Sequence, residues 1–385
     1  MKALIISRGV PTAKAPLNGI FEWDQALALK NANVDVAFLA LDFRKITEKR
    51  FWGIRRYVRD GIAVFELSLP TGIYRRGLPI LQALCNSMYQ KVVHHWGRPD
   101  VLHTHFYFMG AIAAKLPKLT GIPMVHTEHS SKLNKSLESI SSLDKKLAQK
   151  AFAAASVITA VSTAYADRLF HNFGIKAQVV PNVLALVSPK RSNQITESPN
   201  NRLTNFTWIS VGRLIASKGM STLLDAFANT LQQCPNQHLC IIGDGPQKVA
   251  LQTKIEQLGM QDKVELLGAM PRPQVQAYLT KAHAFVLLSE SETFGVSYIE
   301  ALAMGLPVVA TACGGPSDFV NDSNGLMVPI GDAATASVAM QNIANQYAIY
   351  NREQLSKDIV QKYQPSAVAK QLKEMYTTVC GKISL

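Results

Sequence analysis

Short apolar runs alternate with stretches of helical periodicity along almost the whole chain, and few folds satisfy that pattern. Lys2–Ser7, Val34–Ala40, Ala63–Leu67, Val101–Thr104, Met124–Glu128, Val157–Val161 and Gln178–Pro181 are short, apolar or β-branched, and end at Gly, Pro, Ser or Asn. They read as buried strands. Phe21–Asn31, Met109–Leu119 and Ala164–Asn172 read as helices between them. The polar stretch from Leu186 to Asn205 interrupts the pattern and reads as a linker. A second series follows, with strands over Thr207–Gly212, His238–Gly243, Val264–Leu267, Ala284–Leu288, Pro307–Ala310 and Leu326–Val328. Its helices are Met220–Leu231, Val249–Leu258, Gln274–Lys281 and Ser297–Met304, and Val368–Val379 is helical again. Strand–helix alternation predicts α/β architecture, with parallel sheets built from βαβ units. The expected organisation is a first domain over residues 1–190, a second over 204–365, and a final helix over 366–385 crossing back to the first. Such sheets bind ligands at the carboxyl ends of their strands, so two of them facing a central cleft would place the chemistry there.

Composition supports this reading and removes others. A length of 385 residues suits two domains. Hydrophobic residues at 48% against charged residues at 17% exclude a disordered chain. No uninterrupted apolar stretch reaches the roughly 20 residues a membrane-spanning helix needs, and Ala151–Ala166 is too short. Arg8 ends the first apolar run, which argues against a secretory signal. The five cysteines are scattered, odd in number and form no CxxC pair, as expected of reduced thiols in a cytoplasmic protein. The net charge of +13 lies entirely in residues 1–200, which hold 26 Lys and Arg against 13 Asp and Glu. Arg44, Lys45, Lys49, Arg50, Arg55, Arg56, Arg59, Arg75 and Arg76 are interleaved there with Phe43, Phe51, Trp52, Tyr57 and Tyr74, and a second set comprises Lys132, Lys135, Lys145, Lys146 and Lys150. Basic residues with aromatic neighbours suit an anionic membrane surface, which predicts a protein peripheral on the inner face of the cytoplasmic membrane. A solubilising surface without a partner is the plainer alternative. No nucleic-acid-binding motif is present.

The densest constellation runs from Ser289 to Ala310. A strand ends near Ser289, a loop carries Glu292, and a helix starts near Val296 with Glu300 inside it. Both carboxylates could then reach one ligand, accepting hydrogen bonds from sugar or ribose hydroxyls. The amides near Phe294, Gly295 and Val296 would point at its negative charge. Directly after the first strand of the second domain, Gly212 and Gly219 frame Arg213 and Lys218, a fork and a point charge suited to a diphosphate. Gly243-Asp-Gly245-Pro246 is another turn after a strand, offering close backbone approach to a nucleotide; it is no GxGxxG fingerprint. In the first domain, Thr12 to Ile20 repeats the strand, glycine loop, helix logic, with Gly19 at the helix start. His103 and His105 end one strand, and His126 and His129 end another. Of these His129 is the best candidate for polarising a sugar hydroxyl or a phosphate, although packed histidines are common. Nucleophile elbow, P-loop, HExxH and zinc spacings are absent, and with no Asp-x-Asp motif no required metal or other cofactor is indicated.

Taken together, Gly-Arg-Leu…Lys-Gly (212–219), Gly-Asp-Gly-Pro (243–246), Glu-Thr-Phe-Gly…Glu-Ala-Leu-Ala-Met-Gly-Leu-Pro-Val-Val-Ala (292–310) and Gly-Gly-Pro (314–316) resemble, in order and spacing, the glycosyltransferase family 4 group. The resemblance is strong over 207–330 and looser over 1–185. It implies the GT-B fold, two Rossmann-like domains facing a cleft, and retaining transfer from a UDP- or GDP-sugar to a saccharide or lipid-linked acceptor. By position it implies that Arg213 and Lys218 neutralise the donor diphosphate, Glu300 holds the ribose and Glu292 the donor sugar. Gly19 and His129 would face the diphosphate and the reacting centre, and the base would lie near Ala269 and Met270. A non-catalytic sugar-nucleotide-binding scaffold and an epimerase of the same fold are the alternatives.

Overall fold

The computed structural model describes residues 1–12, 15–44, 51–70, 77–185 and 205–381. The linker predicted from Leu186 onward lies outside these residues except for Asn205, as do Lys45, Lys49, Arg50, Tyr74, Arg75 and Arg76. The chain divides into two units. The first comprises Met1–Val183 and Tyr363–Leu385, the second Leu184–Lys362.

The first unit holds β1 (Lys2–Ser7), β2 (Asp35–Asp42), β3 (Gly53–Arg59), β4 (Ile62–Ser68), β5 (Val101–His105), β6 (Met124–Glu128), β7 (Val157–Ala160) and β8 (Gln178–Val179). They form one sheet in the order β3-β4-β2-β1-β5-β6-β7-β8. Every pairing is parallel except β3 with β4. That hairpin departs from the all-parallel expectation. It turns at Asp60-Gly61, both with positive φ, the geometry a two-residue hairpin loop requires. β3 also inverts the usual pattern. Ile54, Arg56 and Val58 project to solvent, while Arg55 and Tyr57 reach inward to the Glu66 carboxylate at 2.8 and 3.1 Å.

Helices α1 (Ile20–Asn31), α2 (Leu78–Trp96), α3 (Tyr107–Ala113), α4 (Leu116–Thr120), α5 (Ser142–Ala154) and α6 (Thr163–Phe173) connect these strands. The helix expected over Met109–Leu119 is broken into α3 and α4, with Pro117 in the first turn of α4, where its missing N–H costs nothing. One face of the sheet packs on α2 to α4 through residues such as Leu81, Met88, Met109 and Ile112. The other packs on α1 and on the last helix of the chain, Pro365–Gly381.

The second unit holds β9 (Phe206–Val211), β10 (Gln237–Ile242), β11 (Val264–Gly268), β12 (Ala284–Leu287), β13 (Val308–Thr311) and β14 (Gly325–Val328). All are parallel, in the order β11-β10-β9-β12-β13-β14. Its helices are α7 (Met220–Gln233), α8 (Lys248–Gln257), α9 (Arg272–Lys281), α10 (Val296–Ala303), α11 (Ala333–Asn345) and α12 (Arg352–Tyr363); the last helix of the chain is α13 (Pro365–Gly381). Val368, Leu372, Met375, Tyr376 and Val379 of α13 share one stripe and are buried with Trp23 and Ala26 of α1. Fully burying such a side chain contributes about 1.5–3 kcal/mol, so the stripe is comparable with the ~5–15 kcal/mol that a whole domain has in hand. Deleting residues 365–385 should therefore abolish cooperative melting of the first unit. A truncated chain with both units melting normally would contradict this.

Strand order reverses at the first strand of each sheet. β1 lies between β2 and β5, and β9 lies between β10 and β12. The loops leaving these strands diverge, opening a crevice at the carboxyl ends where open α/β sheets take ligands.

Candidate functional site

At the β9–β12 crevice the second unit brings two of the predicted residues into direct contact. Lys218 Nζ lies 2.5 Å from Glu292 Oε1, and Ser289 Oγ donates to the same oxygen at 2.8 Å. The two are 74 positions apart in sequence and are joined by the adjacency of β9 and β12. Backbone contacts fix the loops that carry them. Glu290 N–H donates to the Ser217 carbonyl at 2.9 Å. Glu292 forms a single parallel bridge with Gly314, its N–H donating to Cys313 and its carbonyl accepting from Gly315. The Thr311 hydroxyl donates to the Ser289 carbonyl, and Tyr298 Oη to that of Leu287. Only 19% of the Lys218 side chain and 9% of that of Glu292 are exposed, so the pair is largely desolvated.

The other predicted residues occupy the same strand ends with different environments. Gly295, at φ 100°, caps α10, whose first amides follow at Val296. The Phe294 ring is buried edge-to-face on Phe319, leaving its backbone as the part a ligand could meet. Glu300 is buried inside α10. Met270 is half-buried just after β11. Arg213 is exposed, and no hydrogen bond or ion pair joins its side chain to the described residues.

Gly243 and Gly245 have a reason beyond nearness to a ligand, which Gly212 does not share. An added methyl at Gly243 would overlap the Gly212 carbonyl, and one at Gly245 the Leu214 carbonyl. The loops after β9 and β10 are zipped by Gly212 N–H to Ile242 O, Leu214 N–H to Asp244 O and Gln247 N–H to Leu214 O at 2.9–3.0 Å. Gly219 is as tight as Gly243, with φ 63° and its missing methyl directed at the Leu288 carbonyl. Gly219→Ala should cost about 3 kcal/mol or more from strain and clash, read as a lower urea midpoint. A shift below about 0.5 kcal/mol would contradict it.

In the first unit the crevice beside β1 contains the remaining predicted residues. Gly19 starts α1 at φ 73°, where an added methyl would overlap the Gly9 carbonyl. His129, just after β6, is buried, with Nε2 3.0 Å from His105 Nδ1 and its ring beside those of Phe21 and Phe106. His103 bonds Tyr376 Oη at 2.6 Å and Thr127 Oγ1 at 2.7 Å. His126 bonds Thr104 through one nitrogen and lies 3.3 Å from Glu128 through the other. Glu128 Oε1 accepts the amides of His129 and Ser130, fixing the turn after β6. Burial, more than neighbouring charge, pushes His105 and His129 well below the usual imidazole range and His103 down to about 3. At neutral pH His129 is therefore an uncharged hydrogen-bonding group, with no positive charge for a phosphate. Among the described residues, no group of three His, Cys, Asp or Glu is arranged to hold a metal ion.

Three residues of this crevice escaped the sequence reading. Arg8, taken only as the end of an apolar run, lies at the carboxyl end of β1 with its guanidinium 4.0 Å from the Phe106 ring centre. Its Nε is 3.6 Å from Oε1 of Glu22, which is wholly buried. Phe106 follows β5 at φ 63°, a conformation rare for a bulky residue. Strand-end position was the available signal for Arg8; the strain at Phe106 has none.

Two family models match the chain. "Glycosyltransferase Family 4" matches residues 23–186, and "Glycosyl transferases group 1" matches residues 192–361. TuaC of Bacillus subtilis, by name a glycosyltransferase of teichuronic acid biosynthesis, is 28% identical over 379 residues, spanning 93% of this chain and 91% of its own. Among solved structures, sucrose-phosphate synthase of Thermosynechococcus elongatus superposes with a TM-score of 0.78 at 20% identity, covering 99% of both chains. HepE of Anabaena, in complex with UDP and glucose, gives 0.72 at 20% identity, covering 98% of this chain and all of its own. The two-unit α/β fold is that of the GT-B glycosyltransferases.

Proposed function

The chain belongs to the glycosyltransferase family 4 group, and from that membership we propose that it is a retaining enzyme moving a sugar from a UDP- or GDP-sugar to a saccharide or lipid-linked acceptor in cell-surface polysaccharide or glycolipid synthesis. The observation that carries the proposal is the Lys218–Glu292 pair at the β9–β12 crevice. An ammonium and a carboxylate sharing one desolvated position suit a ligand with two ends. The ammonium meets the diphosphate, where charge builds as the sugar departs, and the carboxylate meets the sugar hydroxyls. Arg213, exposed and without a partner among the described residues, is available to the same phosphates. Glu300 takes the ribose, the strand-end segment at Met270 the base, and the amides at Phe294 to Val296 the phosphate and sugar oxygens. Gly19 and His129 of the first unit are assigned to the diphosphate and the reacting sugar, His129 as a neutral hydrogen-bonding group.

In the proposed step the bond between the anomeric carbon and the diphosphate oxygen breaks while the acceptor oxygen bonds the same face. The acceptor proton passes to the leaving diphosphate. The residues preorganise charge and supply no covalent nucleophile. The relatives support the class of product. TuaC carries teichuronic acid in its name, and the solved HepE holds UDP and glucose.

The proposed membrane contact is the outer face of the first unit around β3. There Ile54, Arg56 and Val58 face solvent, and Phe51 and Trp52 just before them are exposed. No helix of the described residues is long and apolar enough to cross a membrane. Binding to vesicles rich in phosphatidylglycerol should weaken steeply as salt rises, because exposed charges are screened within about 10 Å at 0.1 M. Binding that ignores salt would refute an electrostatic contact.

Incubation with a set of nucleotide sugars, with and without acceptor, tests the activity. Acceptor-dependent release of nucleoside diphosphate is the expected result. Isomerised donor would identify an epimerase, and binding without turnover a scaffold.

A further inference from the structure

The first unit has its own topological switch point, between β1 and β5, and a pocket of about 180 Å³ opens there. Its walls come from the ends of three neighbouring strands: Arg8 after β1, Phe106 and Tyr107 after β5, Ser130 and Lys132 after β6. Asp144 of α5 completes the lining used here. The volume is below the ~300–1,000 Å³ of sites that enclose a whole drug-sized ligand, so it suits one end of a larger molecule.

The polar groups of this pocket are unequally occupied. The Asp144 carboxylate is engaged on both oxygens, by Tyr107 Oη at 2.7 Å and Ser141 Oγ at 2.7 Å. Arg8 is different. Its nearest acid, Glu22, is 3.6 Å from Nε, within ion-pair range but beyond a hydrogen bond, and that nitrogen is buried without a hydrogen-bond partner. The Phe106 ring braces the guanidinium from beneath, held there by a backbone conformation that bulky side chains avoid. Forty per cent of the Arg8 side chain remains exposed, and the residue lines the pocket. Lys132 adds an exposed second cation with no side-chain partner among the described residues. Burial also disfavours the charged form of Glu22, which leaves the guanidinium less compensated. A braced, partly exposed cation and a second, exposed cation over an apolar floor form a receptor for an oxyanion.

We infer that this pocket receives an oxyanion of the acceptor, a phosphate or a sugar carboxylate, between Arg8 and Lys132. The inference rests on the glycosyltransferase reading for the word acceptor; the anion site itself stands on the geometry.

The test uses the full chain with saturating UDP, so that phosphate cannot bind at Lys218. Binding of methyl glucoside, methyl glucuronide and glucose 6-phosphate is measured by ligand-observed NMR. At least one anionic sugar should bind about tenfold or more tighter than the neutral one, as expected for a charge-assisted hydrogen bond. Preference for the glucuronide assigns a carboxylate and preference for the 6-phosphate a phosphate. Arg8→Gln should remove the preference and Lys132→Gln reduce it about threefold or more. Because Arg8 also faces buried Glu22, R8Q could fail to fold, in which case K132Q, at an exposed position, carries the test. Equal binding of all three sugars, or a preference unchanged in the folded variants, overturns the inference. UDP binding in the same samples judges the glycosyltransferase reading separately, because its loss would leave the anion measurements readable.

Discussion

Lys218→Ala should lower turnover by about 10²–10³-fold, the effect of removing one preorganised group from a site where charge develops in the transition state. The loss should fall on kcat more than on donor KM, because the diphosphate gains its charge as the glycosidic bond breaks. Stability should fall too. Glu292 keeps its hydrogen bond from Ser289 Oγ but loses its counter-charge in a largely desolvated position. About 1.5–3 kcal/mol, or several degrees in Tm, is the expected cost of losing a charged hydrogen bond here, softened by the one from Ser289 that remains. The double variant K218M/E292Q should recover that stability without recovering activity, which separates the catalytic from the structural role. Activity of K218A within about threefold of the parent would remove this pair from the mechanism.

Acidification should steeply destabilise the first unit as the pH falls below about 6.5. His103, His105 and His129 are buried and neutral, with folded pKa values depressed by desolvation, His103 to about 3. In the unfolded chain each takes a proton near pH 6.5. Below that pH the unfolded state binds up to three more protons than the folded one, so stability is complete above 6.5 and declines as pH falls. The slope is about 1.4 kcal/mol per pH unit for each histidine, or roughly 4 for the three, against a domain stability of ~5–15 kcal/mol. Glu22 works in the opposite direction, because burial raises its pKa and the folded state binds its proton first. One acid against three imidazoles leaves the sign unchanged. Thermal melts at pH 7, 6 and 5 should show a steep fall in Tm, shallower in His103→Asn if that variant folds. A Tm that is flat across this range would refute the account.

How much of this was legible in the sequence depends on whether the signal is local. Lys2–Ser7 is buried on both faces, so its run Ala3–Ile6 is uniformly apolar and its ends sharp. β3 was missed because its alternation is inverted: Ile54 and Val58 face water while Arg55 and Tyr57 reach Glu66. Its basic and aromatic residues read as surface, although Asp60-Gly61 is a hairpin signal in its own right. Lys218 and Glu292 were each legible as strand-end residues. Their contact was not, since it depends on β9 lying beside β12 rather than on spacing. The glycines of 243–246 read as facing a nucleotide; that Gly243 and Gly245 also let two loops touch backbone to backbone was not legible. Arg8 was passed over for want of a motif, and its importance appears only when β5 and β6 bring Phe106 and Lys132 beside it.

The placement of α13 in the first unit bears on the order in which a ribosome can complete this molecule. The sheet that begins at Lys2 has one flank unfinished until Pro365–Gly381 has left the exit tunnel. Everything the second unit needs emerges earlier. The half of the protein synthesised first is therefore the half that matures last. Until then its open apolar flank, beside Trp23 and Ala26 of α1, is a surface a chaperone can hold during translation.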